Sequence, residues 1–198
     1  AAMTGTVDRL GVAAGQGRTP RELLMTLGCA PSVAERLVRV AGALPLLPTL
    51  GAHAADGAIS GEHVDAIVKG INHIRARSPG PVDEAAQFSQ VTDLLGQFFS
   101  GATPAAIGER ARRLGNRVAA AEGGLPAAED RSINTVDHRV TSDGRVQVRA
   151  DLDAEVGAKY AAAMEELSAP RPEPDGSPDA RSAGRRRADA LETLLDIA

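Results

Sequence analysis

Apolar residues recur at every third or fourth position along most of the chain, which is the spacing of helices that bury one face. In one such stretch, Val33, Leu37, Val40 and Leu44 share one side of a helical wheel. Residues that commonly cap helices precede the apolar stretches. We therefore predict helices that begin directly after these capping residues: Thr19, Ser32, Ser60, Thr103, Asp153 and Ser182. Another helix is expected over residues 82–99, after a break at 78–81 that is rich in proline and glycine.

The apolar period changes to two near residues 133–152, which is typical of β-strands. A three-residue turn ending in a left-handed glycine would pair Val140 with Val146 and His138 with Val148. This register places the apolar side chains on one face, whereas a two-residue turn would mix apolar and polar residues. A lone hairpin is only marginally stable in water, so we expect its apolar face to pack on the helices.

These patterns predict a mainly α fold, a multi-helix bundle with one β-hairpin at about 133–152. We divide the chain into a helical domain over 1–168, a proline-rich linker or surface loop over 169–182, and a C-terminal helix over 183–198. We expect that helix to lead toward a further C-terminal module.

The composition excludes several classes of protein. Aromatic residues make up 2% of the chain, which leaves too few for a surface that stacks nucleic-acid bases. The net charge is −4, so the whole chain is not a strongly basic polyanion binder. Cys29 is the single cysteine, which excludes an internal disulfide. The sequence contains no membrane span or leader peptide, so we expect a cytoplasmic protein that does not bind membranes.

Candidate chemistry is sparse. The histidines and carboxylates lack the short-spaced pairs of a zinc site, so we predict no metal site. His138 is interpreted as a packing histidine of the hairpin. The glycine-rich stretch 11–17 lacks the lysine and hydroxyl residue of a phosphate-binding loop, and no nucleophile motif occurs. We therefore assign no catalytic residue, no cofactor and no small-molecule substrate to this chain.

The arginines are the strongest candidates for a binding site. Two predicted helices carry them beside an apolar stripe, where they could contact the phosphates of a DNA duplex without reading its bases. The candidates are Arg36, Arg39, Arg110, Arg113 and Arg117. The alternative is that they cover apolar neighbours and form ion pairs with nearby acidic residues, such as Glu35, Glu109 or Glu122.

Several segments also occur in a recognisable order. They span residues 35–41, 44–45, 55–64, 109–114, 150–158, 167–172 and 185–191. Together they resemble domain of unknown function 222, the N-terminal domain of the actinobacterial 13E12 repeat proteins, over nearly all of residues 20–195. The resemblance implies a parent protein with a C-terminal HNH endonuclease module. The nuclease residues and their divalent metal would then lie beyond Ala198.

Two functions remain open from the sequence. The first is a non-catalytic domain that helps an HNH endonuclease to bind or position double-stranded DNA. The second is a protein-interaction or dimerisation module, which could form a homodimer without touching nucleic acid. Phosphate contacts predict an affinity that falls steeply with salt, and this response distinguishes the two.

Overall fold

The computed structural model describes residues 2–78, 80–81, 83–141 and 143–197. The fold is mainly α-helical with one two-stranded antiparallel sheet, as the sequence predicts. The chain forms two compact units, Ala1–Gly124 and Leu125–Ala198.

The first unit consists of helices joined by short turns. In chain order they are α1 Ala2–Arg9, α2 Val12–Gly15, α3 Pro20–Thr26, α4 Pro31–Ala43, α5 Pro48–Ala55, α6 Gly61–Arg77, α7 Glu84–Phe99 and α8 Pro104–Ala121. A short 3₁₀ turn, Leu44–Leu46, separates α4 from α5, where two prolines interrupt the helical pattern. Pro79 and Val82, at the predicted break and helix start, lie outside the described residues.

Most of the predicted caps are confirmed in this unit. The Thr19 side chain accepts a hydrogen bond from Glu22 N, and the Glu22 carboxylate accepts one from Thr19 N. Ser60 and Thr103 cap α6 and α8 through their side-chain oxygens, each of which accepts from the backbone N–H three residues on. The prediction for Ser32 is wrong. Helix α4 begins at Pro31, two residues before the predicted start at Val33, because proline suits the first helical position without a side-chain cap.

Helix α6 supplies much of the core of the first unit. The side chains of α6 that are almost fully buried are Val64, Ile67, Val68, Ile71 and Ile74. They pack in one cluster with Leu94 of α7 and Ile107 of α8. Burying one aliphatic side chain of this size stabilises a fold by about 1.5–3 kcal/mol, so this face of α6 has a large share in holding the unit together.

Small residues allow α6 and α8 to approach closely. A Cβ atom added to Gly70 of α6 would lie 2.7 Å from the Cβ atom of Ala111 on α8. A Cβ atom added to Gly115 of α8 would lie 3.1 Å from the ring of His73 and 3.1 Å from Cγ of Arg77. Gly70 therefore sets the distance between these helices, because the Cβ atom of Ala111 is fixed to its backbone, whereas a side chain at Gly115 would press on the side chains of His73 and Arg77.

The second unit contains the hairpin and two helices. Strands β1 Thr135–Val140 and β2 Val146–Asp151 are followed by α9 Ala154–Leu167 and α10 Ala183–Ile197, and a 3₁₀ turn, Arg131–Ile133, precedes β1. The predicted register is confirmed, since Val140 pairs with Val146 and His138 with Val148. In the turn, Thr141 N donates to Arg145 O and Gly144 has a φ of 79°. Ser142, the first residue of the predicted turn, lies outside the described residues.

The expectation that the hairpin packs on helices is wrong for this unit. Every residue of both strands is exposed, and Val136, Val140, Val146 and Val148 each keep 60–64% of their surface accessible. Helices α9 and α10 instead pack against each other. The register thus gathers the valines on one face, as predicted, but leaves that face open.

An Asn134–Asp153 clasp joins the two ends of the hairpin. Asp153 N donates to Asn134 Oδ1 at 2.6 Å, and Asn134 Nδ2 donates to the Asp153 carboxylate. The same carboxylate caps α9 by accepting from Glu155 N and Val156 N. These hydrogen bonds lower the pKa of the Asp153 carboxyl, with the Asn134 bond as the largest cause.

The proline-rich segment between α9 and α10 is fastened by arginines. The Arg181 guanidinium lies 3.0 Å from a carboxylate oxygen of Asp179 and 3.0 Å from one of Asp189 on α10. Arg186 donates to Ser168 O at 3.0 Å and to Arg181 O at 2.7 Å. The Asp179 side chain is only 2% exposed, and its pKa is strongly lowered, chiefly by the hydrogen bond from Arg181. Ser182 caps α10 by accepting from Arg185 N, as predicted.

Candidate nucleic-acid interface

Two of the candidate arginines lie on α4 and bind carboxylates of α6. Arg39 makes a two-pronged contact with Asp65, in which Nε donates to Oδ1 at 2.7 Å and Nη2 donates to Oδ2 at 3.3 Å. Arg36 Nη1 lies 3.3 Å from a carboxylate oxygen of Glu62. Paired charge-assisted bonds of the Arg39 kind are strong and geometrically specific. Arg39 is therefore held in place by the fold and is not free to receive a phosphate.

Asp65 is the most buried partner in this set of ion pairs. Its side chain is 10% exposed, and Lys69 Nζ lies 3.0 Å from the oxygen that Arg39 Nη2 also contacts. Burial opposes ionisation of this carboxyl, but the hydrogen bonds from Arg39 and Lys69 outweigh it, so the pKa of Asp65 is lowered. The carboxylate is thus ionised at neutral pH, and both cations favour its charged form.

Arg110 on α8 also forms an ion pair within the protein. Its Nε and Nη2 atoms donate to Asp93 of α7 at 3.1 and 2.7 Å. Both side chains are partly buried, with 30% of Arg110 and 26% of Asp93 exposed. The contact links α7 to α8, so Arg110 acts within the fold, as Arg39 does.

Arg113 and Arg117 differ from the other three. Both are exposed, and neither has an ion pair with any carboxylate in the described part of the chain. They lie one helical turn apart on α8. The buried residues of this helix are Ile107, Ala111, Gly115 and Ala119. At 100° per residue, Arg113 and Arg117 fall on the side of α8 opposite that buried face.

The expected acidic partners of the arginines are engaged elsewhere. Glu35 binds Arg21 with a distance of 3.1 Å, Glu109 binds Arg112, and Glu122 accepts a hydrogen bond from Ser78. The ion-pair alternative therefore holds for Arg36, Arg39 and Arg110, but through other carboxylates than those named from the sequence. The phosphate-contact alternative remains for Arg113 and Arg117.

Asp65 and Asp93 are functional partners of these arginines that the sequence did not predict. A signal for Asp65 existed, because an acidic residue four positions before a lysine often forms a helical ion pair, and Lys69 stands at that spacing. No comparable signal existed for Asp93. Its partner Arg110 is 17 residues away on another helix, and only the packing of α7 on α8 brings the two together.

The first unit also contains an open cleft of about 560 Å³ beside the 3₁₀ turn and α7. Its walls are mainly apolar, with Leu46, Leu47 and Phe88 among them, and its ionisable side chains are Arg75 and Glu84. One cation and one carboxylate without an adjacent nucleophile do not form a recognisable catalytic arrangement, so we assign no reaction to this cleft. Among the described residues, no group of three or more histidine, cysteine or acidic side chains could hold a metal ion.

Comparison with known proteins places the chain in a family. Residues 4–198 match the family model described as "Domain of unknown function (DUF222)". The chain belongs to the DUF222 family. The five candidate arginines lie within the matched part of this DUF222 chain, and so do the carboxylate partners of Arg36, Arg39 and Arg110. No curated protein and no solved structure matches it. Within the described residues, no helix has the length and apolar character needed to cross a membrane.

Proposed function

We propose that this DUF222 chain is a non-catalytic domain that helps its parent protein hold double-stranded DNA. In this proposal, Arg113 and Arg117 of α8 contact the phosphate backbone. The single observation that carries it is that these two guanidinium groups are exposed without a carboxylate partner among the described residues. Such cations can bind a polyanion without first breaking an ion pair within the protein.

The rigidity of α8 supports this role. Thr103 caps its first turn, Gly115 fits it closely against α6, and Arg110 binds it to α7. Phosphate contacts position a duplex only if the helix that carries them is itself well placed. Arg110 thus serves the interface indirectly, because its ion pair with Asp93 helps to fix α8, the helix on which Arg113 and Arg117 stand.

The charge of the first unit limits the expected affinity. Residues 1–125 carry 12 basic and 11 acidic side chains, so long-range attraction to DNA is weak. Two phosphate contacts are typical of an accessory domain and not of an independent DNA binder. We propose that bond cleavage, with its divalent metal, belongs to a separate HNH module of the parent protein and that this domain only orients the substrate.

The test is a fluorescence anisotropy titration of the whole chain with a labelled DNA duplex at several salt concentrations. We expect binding at about 50 mM salt that weakens as salt rises. The double variant Arg113→Gln with Arg117→Gln should lower the affinity and reduce the slope of log K against log salt by about 1.8, which corresponds to two phosphate contacts.

A matched control removes the same charge elsewhere. Arg171→Gln with Arg187→Gln changes two exposed arginines of the second unit, and neither side chain has an ion pair with a described carboxylate. This control should leave the salt slope unchanged. The proposal is overturned if the wild-type chain does not bind the duplex at low salt, or if both double variants lower the affinity equally.

A further inference from the structure

Among the described residues, nothing pairs with the outer edge of strand β1. The sheet has two strands, and β1 pairs with β2 on one side only among the described residues. In an antiparallel ladder, pairs that exchange hydrogen bonds alternate with pairs that do not. Thr141 and Arg145 form a bonded pair, so this alternation leaves the backbone N–H and C=O groups of Val136, His138 and Val140 directed away from β2.

The sequence of this strand is complementary to itself. Residues 136–140 read Val-Asp-His-Arg-Val, with the histidine at the centre. If two copies of the strand pair antiparallel about His138, each Val136 faces a Val140 and each Asp137 faces an Arg139. The pairing therefore brings two valine pairs and two opposite-charge pairs together, and each such cross-strand pair is favourable.

The backbone pattern fits the same register. The outward groups of Val136, His138 and Val140 would form the bonded pairs between the copies. The Asp137 and Arg139 side chains would then occupy the non-bonded pairs, in which side chains lie closest together. Asp137 has no ion pair with any described side chain of its own copy, so its carboxylate is available.

We infer that strand β1 is a self-association edge, through which two copies of this chain form a four-stranded antiparallel sheet centred on His138. A two-stranded hairpin is marginal in water, whereas a sheet of three or more strands with an apolar face is more stable. The pairing also joins the exposed valine faces of the two hairpins into one continuous surface. The partner is a second copy because the complementarity is between this strand and itself.

Self-pairing of strand β2 is less favourable than self-pairing of β1. The equivalent self-pairing about Val148 would place Gln147 opposite Arg149 at the centre and Arg145 opposite Asp151 at the ends. Its central pairs are not oppositely charged. The β1 edge is therefore the better fit, and substitutions on the two strands distinguish the two arrangements.

The test is analytical ultracentrifugation of the whole 20.4 kDa chain over a wide range of concentrations. We expect a reversible monomer–dimer equilibrium. Asp137→Arg should raise the dimer dissociation constant at least about tenfold, because it places two pairs of arginines opposite each other. Adding Arg139→Asp to that variant should restore dimerisation, because the charge pairs are then reversed but complementary.

Two further variants complete the design. Arg145→Asp, in the turn directly before β2, should leave the dissociation constant unchanged. His138→Pro should abolish the dimer while leaving the monomer folded, because proline removes a backbone donor that points outward from an edge strand. Circular dichroism confirms the fold of each variant. The inference is overturned if the wild-type chain stays monomeric, if Asp137→Arg has no effect, or if the double charge reversal fails to restore the dimer.

This inference does not depend on the proposed DNA contacts. Arg113 and Arg117 belong to the first unit, and the strand edge belongs to the second. A chain that dimerises but does not bind DNA would retain the self-association edge and refute only the DNA role. A chain that binds DNA as a monomer would support the DNA role and refute only the self-association edge.

Discussion

Replacing Gly70 by alanine tests the close packing of α6 on α8. The added methyl group would lie 2.7 Å from the Cβ atom of Ala111 and 3.2 Å from Cδ1 of Leu94. Carbon atoms in good contact are separated by about 3.5–4.0 Å. Leu94 could move by rotating its side chain, but the Cβ atom of Ala111 is fixed to the backbone. The two helices must therefore separate by about 1 Å at this point.

The expected effect is the balance of two opposing contributions. Glycine in the middle of a helix is less stable than alanine by about 0.5–1 kcal/mol, so the substitution gains that amount. Forcing an extra methylene into a well-packed core costs about 1–3 kcal/mol. Because the clash involves a backbone-anchored atom between two core helices, we expect the cost to prevail. The free energy of unfolding should fall by about 1–2 kcal/mol.

Urea denaturation followed by circular dichroism measures this change, and Gly108→Ala is the matched control. Gly108 lies inside α8, and a Cβ atom added there meets nothing within 4 Å. The same substitution should therefore raise the free energy of unfolding by about 0.5–1 kcal/mol at this site. The same glycine-to-alanine substitution is thus expected to lower the free energy of unfolding at Gly70 and to raise it at Gly108.

The double variant Gly70→Ala with Ala111→Gly isolates the clash. It removes the methyl group that the new side chain meets, so it should be more stable than the sum of the two single effects predicts, by about 1 kcal/mol or more. The reasoning is refuted if Gly70→Ala stabilises the chain as Gly108→Ala does, or if the two substitutions at 70 and 111 are additive.

Three further predictions concern the ion pairs and caps of the first unit. Arg110→Gln should lower the free energy of unfolding by about 1–2 kcal/mol, because it leaves the partly buried Asp93 without its cation, yet it should not change DNA affinity in the anisotropy assay. Asp65 has a lowered pKa in the folded chain, so its ionisation stabilises the fold above about pH 4, and this stabilisation is lost as the pH falls. Urea denaturation at pH 5 and pH 3 should therefore show a smaller loss of unfolding free energy for Asp65→Asn than for the wild-type chain. Thr103→Ala should cost about 0.5–2 kcal/mol of thermal or urea stability, whereas Thr103→Ser should cost far less, because serine retains the oxygen that accepts from Ala106 N.

The local structure was predictable because it depends on neighbouring residues. The capping side chains of Thr19, Ser60, Thr103 and Asp153 act within three residues of themselves, so their patterns can be read directly from the chain. The hairpin register followed from the alternation of valines and the position of one glycine. Ser32 failed as a cap because Pro31, its own neighbour, already starts α4.

The arginine site was only partly predictable, because its outcome depends on contacts between helices. The sequence identified the five cations but not which of them would meet a carboxylate. Asp65 and Asp93 are 26 and 17 residues from their arginine partners, and nothing in the local pattern reports such distances. The open face of the hairpin was missed for a similar reason. An alternating pattern shows which side of a strand is apolar but not whether anything covers it.

The contacts of Arg181 and Arg186 with the proline-rich segment and its flanking helices have a consequence for proteolysis. Cleavage within residues 172–178 would cut the covalent path between α9 and α10 without touching Arg181 or Arg186. Arg181 bridges Asp179 and Asp189, both on its own side of such a cut, whereas Arg186 reaches back across it to Ser168. Arg171 N also donates across the cut, to the Asp179 carboxylate at 3.0 Å. A nicked chain would then rely on the packing of α9 on α10 and on these two hydrogen bonds, so its two fragments should dissociate on dilution far more readily than the intact polypeptide unfolds.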